Sequence, residues 1–83
     1  MLVWARRQGE SLKIGNDIEI VVKEIKPTHV KLFVNNSEEI TIDKLKSKVI
    51  ADGVKITVKK INGTQTKLGI NAPESMKVDR NEV

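Results

Sequence analysis

The sequence predicts a small all-β protein, and three observations support this class. Apolar and polar residues alternate along most of the chain, for example at Ile18, Ile20 and Val22, which is the period of a strand with one buried face. Turn dipeptides such as Gly15-Asn16 and Asn62-Gly63 separate these stretches. With 83 residues and no cysteine, the chain must obtain its core from packed sheets. We therefore expect a small two-sheet antiparallel or mixed β sandwich.

One stretch departs from the strand pattern. Asp43 is a good helix cap, and Leu45, Val49 and Ile50 form a narrow apolar stripe, so we expect one short linker helix over about residues 44–51. The remaining alternation gives the strands. The predicted strands are residues 1–7, 11–14, 17–25, 29–35, 39–42, 54–61, 65–71 and 75–80.

The chain also repeats itself with an offset of 36 residues. Residues 18–46 align over residues 54–82 without a gap, and ten of the 29 aligned positions are identical. The turns match as well, with Lys26-Pro27 lying over Asn62-Gly63. We therefore expect residues 1–83 to form one domain that contains a duplicated set of three strands.

Composition narrows the classes of function. The net charge is +4, from 15 basic and 11 acidic residues, which weakly favours a polyanionic partner. Trp4 and Phe33 are the only aromatic residues, too few for an RNA-recognition motif or OB-fold that stacks several bases. One histidine and no cysteine exclude a Cys/His zinc site, so we expect no metal and no cofactor.

An enzyme and a membrane protein are both disfavoured. The sequence has no paired-carboxylate motif and no phosphate-binding loop, and its serines have no evident activating base. No apolar run approaches the roughly 20 residues that cross a bilayer, and no secretory signal is visible. We expect a soluble, cytoplasmic protein that catalyses no reaction.

Both ends of the chain resemble one bacterial family. Residues 1–15, MLVWARRQGESLKIG, resemble the opening M-L-x-L-x-R-[RK]-x-G-E-x-[IL]-x-I-G of the CsrA/RsmA (carbon storage regulator) family. Residues 67–73, KLGINAP, resemble its R-[IL]-G-[IV]-x-A-P segment. Residues 76–83, MKVDRNEV, resemble the strand V-x-V-x-R-x-E-[IV] that follows. The middle, residues 18–53, looks like an extra, diverged copy of the core strands plus a linker.

The resemblance implies a fold and a function. Family members are intertwined homodimers in which each subunit gives five strands and a C-terminal helix. Each RNA site lies where the first strand of one subunit meets the fifth strand of the other. The ligand is single-stranded or hairpin-loop RNA bearing GGA, often over a ribosome-binding site. Binding blocks translation or alters message decay.

Applied to this chain, the resemblance predicts an asymmetric molecule. The chain holds one first and one second strand, but two versions of strands three, four and five. A single chain could thus build a pseudo-dimer with one complete RNA site; a homodimer, or a single core with residues 18–53 inserted, are the alternatives. The second copy keeps family residues where the first has drifted. These pairs are Gly69 and Phe33, Ala72 and Asn36, Pro73 and Ser37, and Arg80 and Lys44.

The residues that the resemblance assigns to RNA each have a plainer interpretation. Arg6 and Arg7, on opposite faces of a strand, suit guanine and phosphate recognition, or are solubilising edge charges. Trp4 either stacks on a base or belongs to the core. Arg80 is a key basic contact or an exposed terminal charge. The full set of expected RNA-binding residues is Leu2, Trp4, Arg6, Arg7, Gly69, Asn71, Ala72, Pro73, Val78 and Arg80.

A second class of function stays open at this point. Duplication and drift would also produce a protein-interaction module, or a chain that pairs with an ordinary family member and titrates it. The family has a flagellar protein antagonist, which implies that the scaffold can bind protein. Tight protein binding without RNA binding would distinguish this alternative.

Overall fold

A computed structural model describes residues 2–80, apart from the side chains of Asp79 and Arg80. Within these residues the chain forms nine strands and no helix, which confirms the all-β class. Residues 81–83, the end of the last family motif, lie outside the described residues. The strands are β1 Leu2–Arg7, β2 Ser11–Ile14, β3 Ile18–Ile25, β4 His29–Val34, β5 Glu38–Asp43, β6 Ser47–Ala51, β7 Val54–Asn62, β8 Gln65–Asn71 and β9 Val78–Arg80.

The strands form two antiparallel sheets over one apolar core. The four-stranded sheet has the order β1-β8-β7-β6, and the five-stranded sheet has the order β5-β4-β3-β2-β9. Alternate residues of both sheets turn inward, which is why the sequence shows a period of two. The buried core comprises Leu12, Ile14, Ile18, Ile20, Val22, Val30, Leu32, Val34, Ile40, Ile42, Val54, Ile56, Val58, Leu68 and Ile70.

The two halves of the chain exchange their first strands. Strand β1 pairs with β8 in the second half, with Leu2 opposite Ile70, whereas β5 pairs with β4 in the first half, with Glu38 opposite Val34. These two registers are related by the offset of 36 residues. The β-bulges obey the same offset, since the register shifts after Val22 in β3 and after Val58 in β7. The structural repeat therefore contains four strands, β1–β4 and β5–β8.

The turns between the first two strands of each half repeat the same hydrogen bonds. The amide of Gly9 donates to the carbonyl of Val22 at 2.7 Å, and the amide of Leu45 donates to the carbonyl of Val58 at 2.8 Å. Both donors have positive φ angles, 91° for Gly9 and 66° for Leu45. Leucine adopts this left-handed region only at a cost, because its Cβ crowds the backbone. The fold imposes the conformation at both positions.

The structure corrects the linker helix expected at residues 44–51. Residues 47–51 instead form β6, which pairs with β7 and places Ser47 opposite Thr57. The positive φ of Leu45 is incompatible with a right-handed helix. The apolar stripe was too short to outweigh the backbone pairing that β7 offers. The last predicted strand is also shorter, because the amide of Met76 donates to the carbonyl of Pro73 at 2.9 Å and forms a turn.

The pairing also reassigns the duplicated strands. Residues 38–43 align in sequence with the last strand, but β5 pairs with β4 as β1 pairs with β8. Strand β9 instead crosses to the other sheet and pairs with β2, placing Val78 opposite Ile14. The chain therefore contains the first four strands twice and the last strand once. The place beside β6 that corresponds to β9 holds no strand within residues 2–80.

At one end of the core, the four-stranded sheet contributes a polar pair where the five-stranded sheet contributes an apolar pair. Arg6 lies opposite Thr66, where the other sheet has Ile42 opposite Val30. Arg6 is 8% exposed, and its Nε donates to the carbonyl of Ala5 at 2.8 Å. Its Nη1 reaches the carbonyl oxygen of Ser11 at 3.4 Å, while Thr66 Oγ1 donates to the carbonyl of Lys60 at 3.0 Å. These hydrogen bonds make the buried polar pair tolerable.

The repeated turn gives a matched pair of stability predictions. Leu45→Gly should raise the free energy of unfolding by about 1 kcal/mol, because glycine adopts the left-handed conformation without the backbone strain that the leucine Cβ causes. Gly9→Ala should lower it by about 1 kcal/mol or more, because it introduces the same strain. Urea unfolding measures both, with Leu45→Ala as the control for loss of the side chain. Shifts of the two variants in the same direction would contradict this explanation.

Substitutions of the two adjacent arginines should differ in their effect on the free energy of unfolding. Arg6→Ala removes a buried charged donor and should lower the free energy of unfolding by about 1.5–3 kcal/mol. Arg7→Ala removes an exposed side chain and should change it by less than about 0.5 kcal/mol. Thermal and urea unfolding of both variants give the comparison. Equal stability of Arg6→Ala and the parent chain would refute the buried placement.

Candidate functional site

The outer edges of the two sheets meet along one groove. Strand β1 is the edge of the four-stranded sheet and β9 is the edge of the five-stranded sheet. Edge strands leave backbone N–H and C=O groups available to a ligand. The groove has a cavity volume of about 290 Å³. It is lined by Leu2, Ile70, Asn71, Ala72, Pro73, Glu74, Met76 and Val78.

A crossing loop builds this groove. Because β8 and β9 belong to different sheets, residues 72–77 must pass from one sheet to the other. The amide of Gly15 donates to the carbonyl of Lys77 at 2.6 Å, which fixes the loop to the end of β2. On the other side, a Cβ on Gly53 would lie 3.2 Å from Pro73 Cγ, so glycine permits the close approach. The loop is thus held from both sheets.

Half of the residues expected to bind RNA lie together in the groove. Leu2 is 51% exposed there, although it is apolar. Asn71 and Pro73 are exposed, and Ala72 and Val78 are half-buried. These residues come from β1, the end of β8, the crossing loop and β9. Two sequence motifs at opposite ends of the chain therefore form one surface.

Three expected residues do not line the groove. Trp4 is half-buried and packs against the apolar core, which supports the core interpretation. Gly69 is buried within β8, where it pairs with Val3 of β1. Arg6 is buried against backbone carbonyls, so its guanidinium supports the fold in this conformation and does not lie on the surface.

The two other basic residues differ in position. Arg7 is exposed at the far end of β1, about 17 Å from Leu2 along an extended strand. Its backbone amide donates a hydrogen bond to Glu10 Oε1 at 2.7 Å, which fixes the following turn. Arg80 pairs through its backbone with Leu12. Its side chain lies outside the described part of the structure.

Sequence reasoning missed Ile70, Glu74 and Met76, which also line the groove. Glu74 lies between the two C-terminal motifs, and Ile70 and Met76 lie within them, so their position in the sequence was the available signal. Among the residues that the structure describes, no group of histidine, cysteine, aspartate or glutamate is arranged to hold a metal ion. No helix in the same residues is suited to crossing a membrane. The groove offers edge backbone groups, apolar walls, the amide of Asn71 and the carboxylate of Glu74, which suit binding.

The equivalent place in the other half does not reproduce this site. Strand β6 has no strand at its outer edge within residues 2–80, so half of the groove is missing there. The first strand of that half is also acidic. Glu38, Glu39 and Asp43 of β5 stand where β1 has Leu2, Val3 and Arg7. The described residues therefore form one groove of this kind.

Comparisons with known proteins agree with the repeat. The model of the CsrA family, described as a global regulator protein family, matches residues 1–46 and again residues 44–83. Together the two matches span the chain; the first contains β1–β5 and the second contains β6–β9. No solved structure matches the chain.

Relatives with curated descriptions carry the same family name. The chain is 45% identical over 42 residues to a translational regulator CsrA of Clostridium acetobutylicum, covering 51% of this chain and 58% of the relative. It is 50% identical over 42 residues to that of Clostridium kluyveri, with the same coverage. It is 43% identical over 44 residues to that of Leptospira biflexa serovar Patoc, covering 53% and 56%. The chain thus spans between half and two thirds of these relatives. With the family model matched over both halves, this chain belongs to the CsrA global regulator family.

Proposed function

We propose that this chain is a post-transcriptional regulator that binds single-stranded or hairpin-loop RNA bearing GGA. In this proposal it acts in the cytoplasm and controls translation or message stability. The observation that supports it best is the groove between β1 and β9, where both family motifs converge. The relatives described as translational regulators support the same class of function.

The chemistry of the groove suits unpaired bases. Backbone N–H and C=O groups on open strand edges can hydrogen-bond the edges of bases that are not in a duplex. Leu2, Ala72 and Val78 supply apolar surface for base faces, and the amide of Asn71 supplies both donors and acceptors. A guanine-rich loop presents many such acceptors and donors in a short segment.

The basic residues would then hold the phosphates. Arg7 is exposed at the end of β1, and its planar guanidinium suits a phosphate or a guanine edge. Arg80 is the last residue of β9, two positions after Val78, and we assign it the same type of contact on the strength of the family motif. Arg6 supports β1 from the inside and is a positioning residue in this proposal.

We predict that Arg7→Ala and Arg80→Ala each weaken binding to a GGA-loop hairpin by about 10- to 100-fold, as expected for loss of a charged hydrogen-bond donor at about 1.5–3 kcal/mol. Fluorescence anisotropy with a labelled hairpin measures the affinity. Lys31→Ala is the matched control, because it removes one positive charge from the five-stranded sheet. A hairpin with a scrambled loop that binds as tightly as the GGA hairpin would refute the proposed selectivity.

We also predict the stoichiometry. Because the chain holds both four-strand halves but a single last strand, one chain should bind one hairpin. Native mass spectrometry of the protein with the GGA hairpin should show a 1:1 complex of a monomer. A complex of two chains with two hairpins would keep the RNA function and reject the pseudo-dimer with a single site.

A second candidate function rests on β6. This strand has an open outer edge within the described residues, and Val49 on it is 67% exposed. Leu45, beside it, is 69% exposed. Together they would suit a strand from another protein, such as an ordinary family member that this chain titrates. Lys48 opposes that pairing, because a lysine on an edge strand disfavours the addition of further strands. Size-exclusion chromatography of an equimolar mixture would show a mixed complex if this candidate is correct.

A further inference from the structure

The charges of the two sheets are strongly segregated. The strands of the four-stranded sheet contain seven basic residues and no acidic residue. The strands of the five-stranded sheet contain four basic and six acidic residues. The basic residues of the four-stranded sheet are Arg6, Arg7, Lys48, Lys55, Lys59, Lys60 and Lys67. The chain's modest net charge hides this asymmetry.

Most of these cations share the outer face of the four-stranded sheet. The inward residues of β7 and β8 are the buried apolar ones, so Lys55 and Lys67 project outward, and both are exposed. Lys60 lies directly opposite Lys67, and Arg7 lies opposite Gln65. None of these four cations has an ion-pair partner among the described residues. We call this surface the basic face; it comprises Arg7, Lys55, Lys59, Lys60 and Lys67.

The basic face also contains a shallow polar depression. Its cavity volume is about 210 Å³, and it is lined by Lys60, Asn62, Gln65 and Lys67. Two ammonium groups beside two amide side chains make a surface rich in hydrogen-bond donors. Because Gly69 has no side chain, nothing projects from the middle of β8 beside it. The donors of this surface suit the oxygens of a polyanion.

The corresponding face of the five-stranded sheet provides an internal comparison. The offset of 36 residues places Glu19 at the position of Lys55, Glu24 at that of Lys60 and Asp43 at that of Arg7. Two lysines on that side are ion-paired, since Lys23 Nζ lies 3.4 Å from Glu39 and Lys26 Nζ lies 3.2 Å from Glu24.

The two ion-paired lysines also make an aromatic contact and a hydrogen bond, respectively. Lys23 Nζ also lies 4.5 Å from the centre of the Phe33 ring, in the place where the other half has Gly69. The hydrogen bond from Lys26 holds the pKa of Glu24 below its ordinary value. The same backbone thus carries lysines without acidic residues on its strands in one sheet, and two ion-paired lysines among acidic residues in the other.

We propose that the basic face binds the phosphate backbone of the RNA segments that flank the recognised loop. This inference rests on the proposed RNA function and adds a second, sequence-independent surface to it. The two surfaces are continuous, because the groove residue Asn71 pairs directly with Lys55. RNA that leaves the groove past Asn71 would meet Lys55 first and then run along β7 toward Lys60 and its cross-strand neighbour Lys67. Exposed lysines that neutralise phosphates release counterions, so this contribution depends on salt.

The test uses Lys55→Gln/Lys60→Gln and a GGA-loop hairpin with single-stranded flanks. Loss of two phosphate contacts should reduce the slope of log K against log salt by about 1.4. Between 50 and 200 mM KCl, the parent chain should then lose about sevenfold more affinity than the variant. The control, Lys23→Gln/Lys31→Gln, removes the same charge from the five-stranded sheet and should leave the parent slope. A hairpin without flanks should show little difference between the parent chain and either variant.

The outcomes separate this inference from the proposed function. An unchanged slope for Lys55→Gln/Lys60→Gln, with intact preference for GGA over a scrambled loop, would overturn the proposed role of the basic face. The assignment of the groove as the site for the loop would then stand. Absence of GGA preference in the parent chain overturns the proposed function, whatever the slopes are. Co-sedimentation with phosphatidylserine vesicles that is lost in the variant, without a change in RNA binding, would assign the face to lipid and also overturn the inference.

Discussion

The antiparallel pairing of β1 with β8 is the interaction on which the rest of the structure depends. It joins the first strand of one half to the last strand of the other, with Leu2 opposite Ile70 and Arg7 opposite Gln65. The equivalent pairing of β5 with β4 completes the exchange. Without this exchange each half would be a three-stranded antiparallel unit, too small to bury its apolar face alone. The exchange also brings β1 to the groove, where it faces the crossing loop and β9.

Repetition of the backbone allowed the two halves to diverge in their surfaces. The core positions stay apolar, with Ile20 matched by Ile56 and Leu32 matched by Leu68, because both halves fill one interior. The surface positions carry no such constraint, and the charges separated between the sheets. The four-stranded sheet carries β1 at an open edge, and the basic face lies alongside it. The five-stranded sheet carries acidic residues on β5, and no last strand lies beside β6 among the described residues.

The sequence predicted the fold class, most strands and the offset of 36 residues, because alternation and turn dipeptides are local signals. It missed the full extent of the repeat, since residues 2–14 over 38–50 share only Ser11 with Ser47 and Ile14 with Ile50. A short apolar stripe suggested a helix at residues 44–51, where pairing with β7 decided the outcome. The strand-to-strand partners are long-range choices that alternation alone does not encode.

The candidate site was also predictable only in part. Family motifs identified Leu2, the segment 71–73 and Val78, and the structure brings these into one groove. Alternation placed Arg6 and Arg7 on opposite faces, but it did not say which face was buried. Lys59 and Lys60 suggested either solvated surface or general attraction to phosphates, but the extent of the basic face was not predicted, because only the sheet order places Lys60 opposite Lys67.

The most direct measurement is a titration of the ¹⁵N-labelled protein with a GGA-loop hairpin, followed by amide chemical-shift changes along the chain. If the groove binds the loop, the largest changes should fall on β1, on residues 69–78 and on the first residues of β9. Changes concentrated on β5 and β6, or equal changes with a scrambled hairpin, would contradict the assignment of the groove as the RNA site.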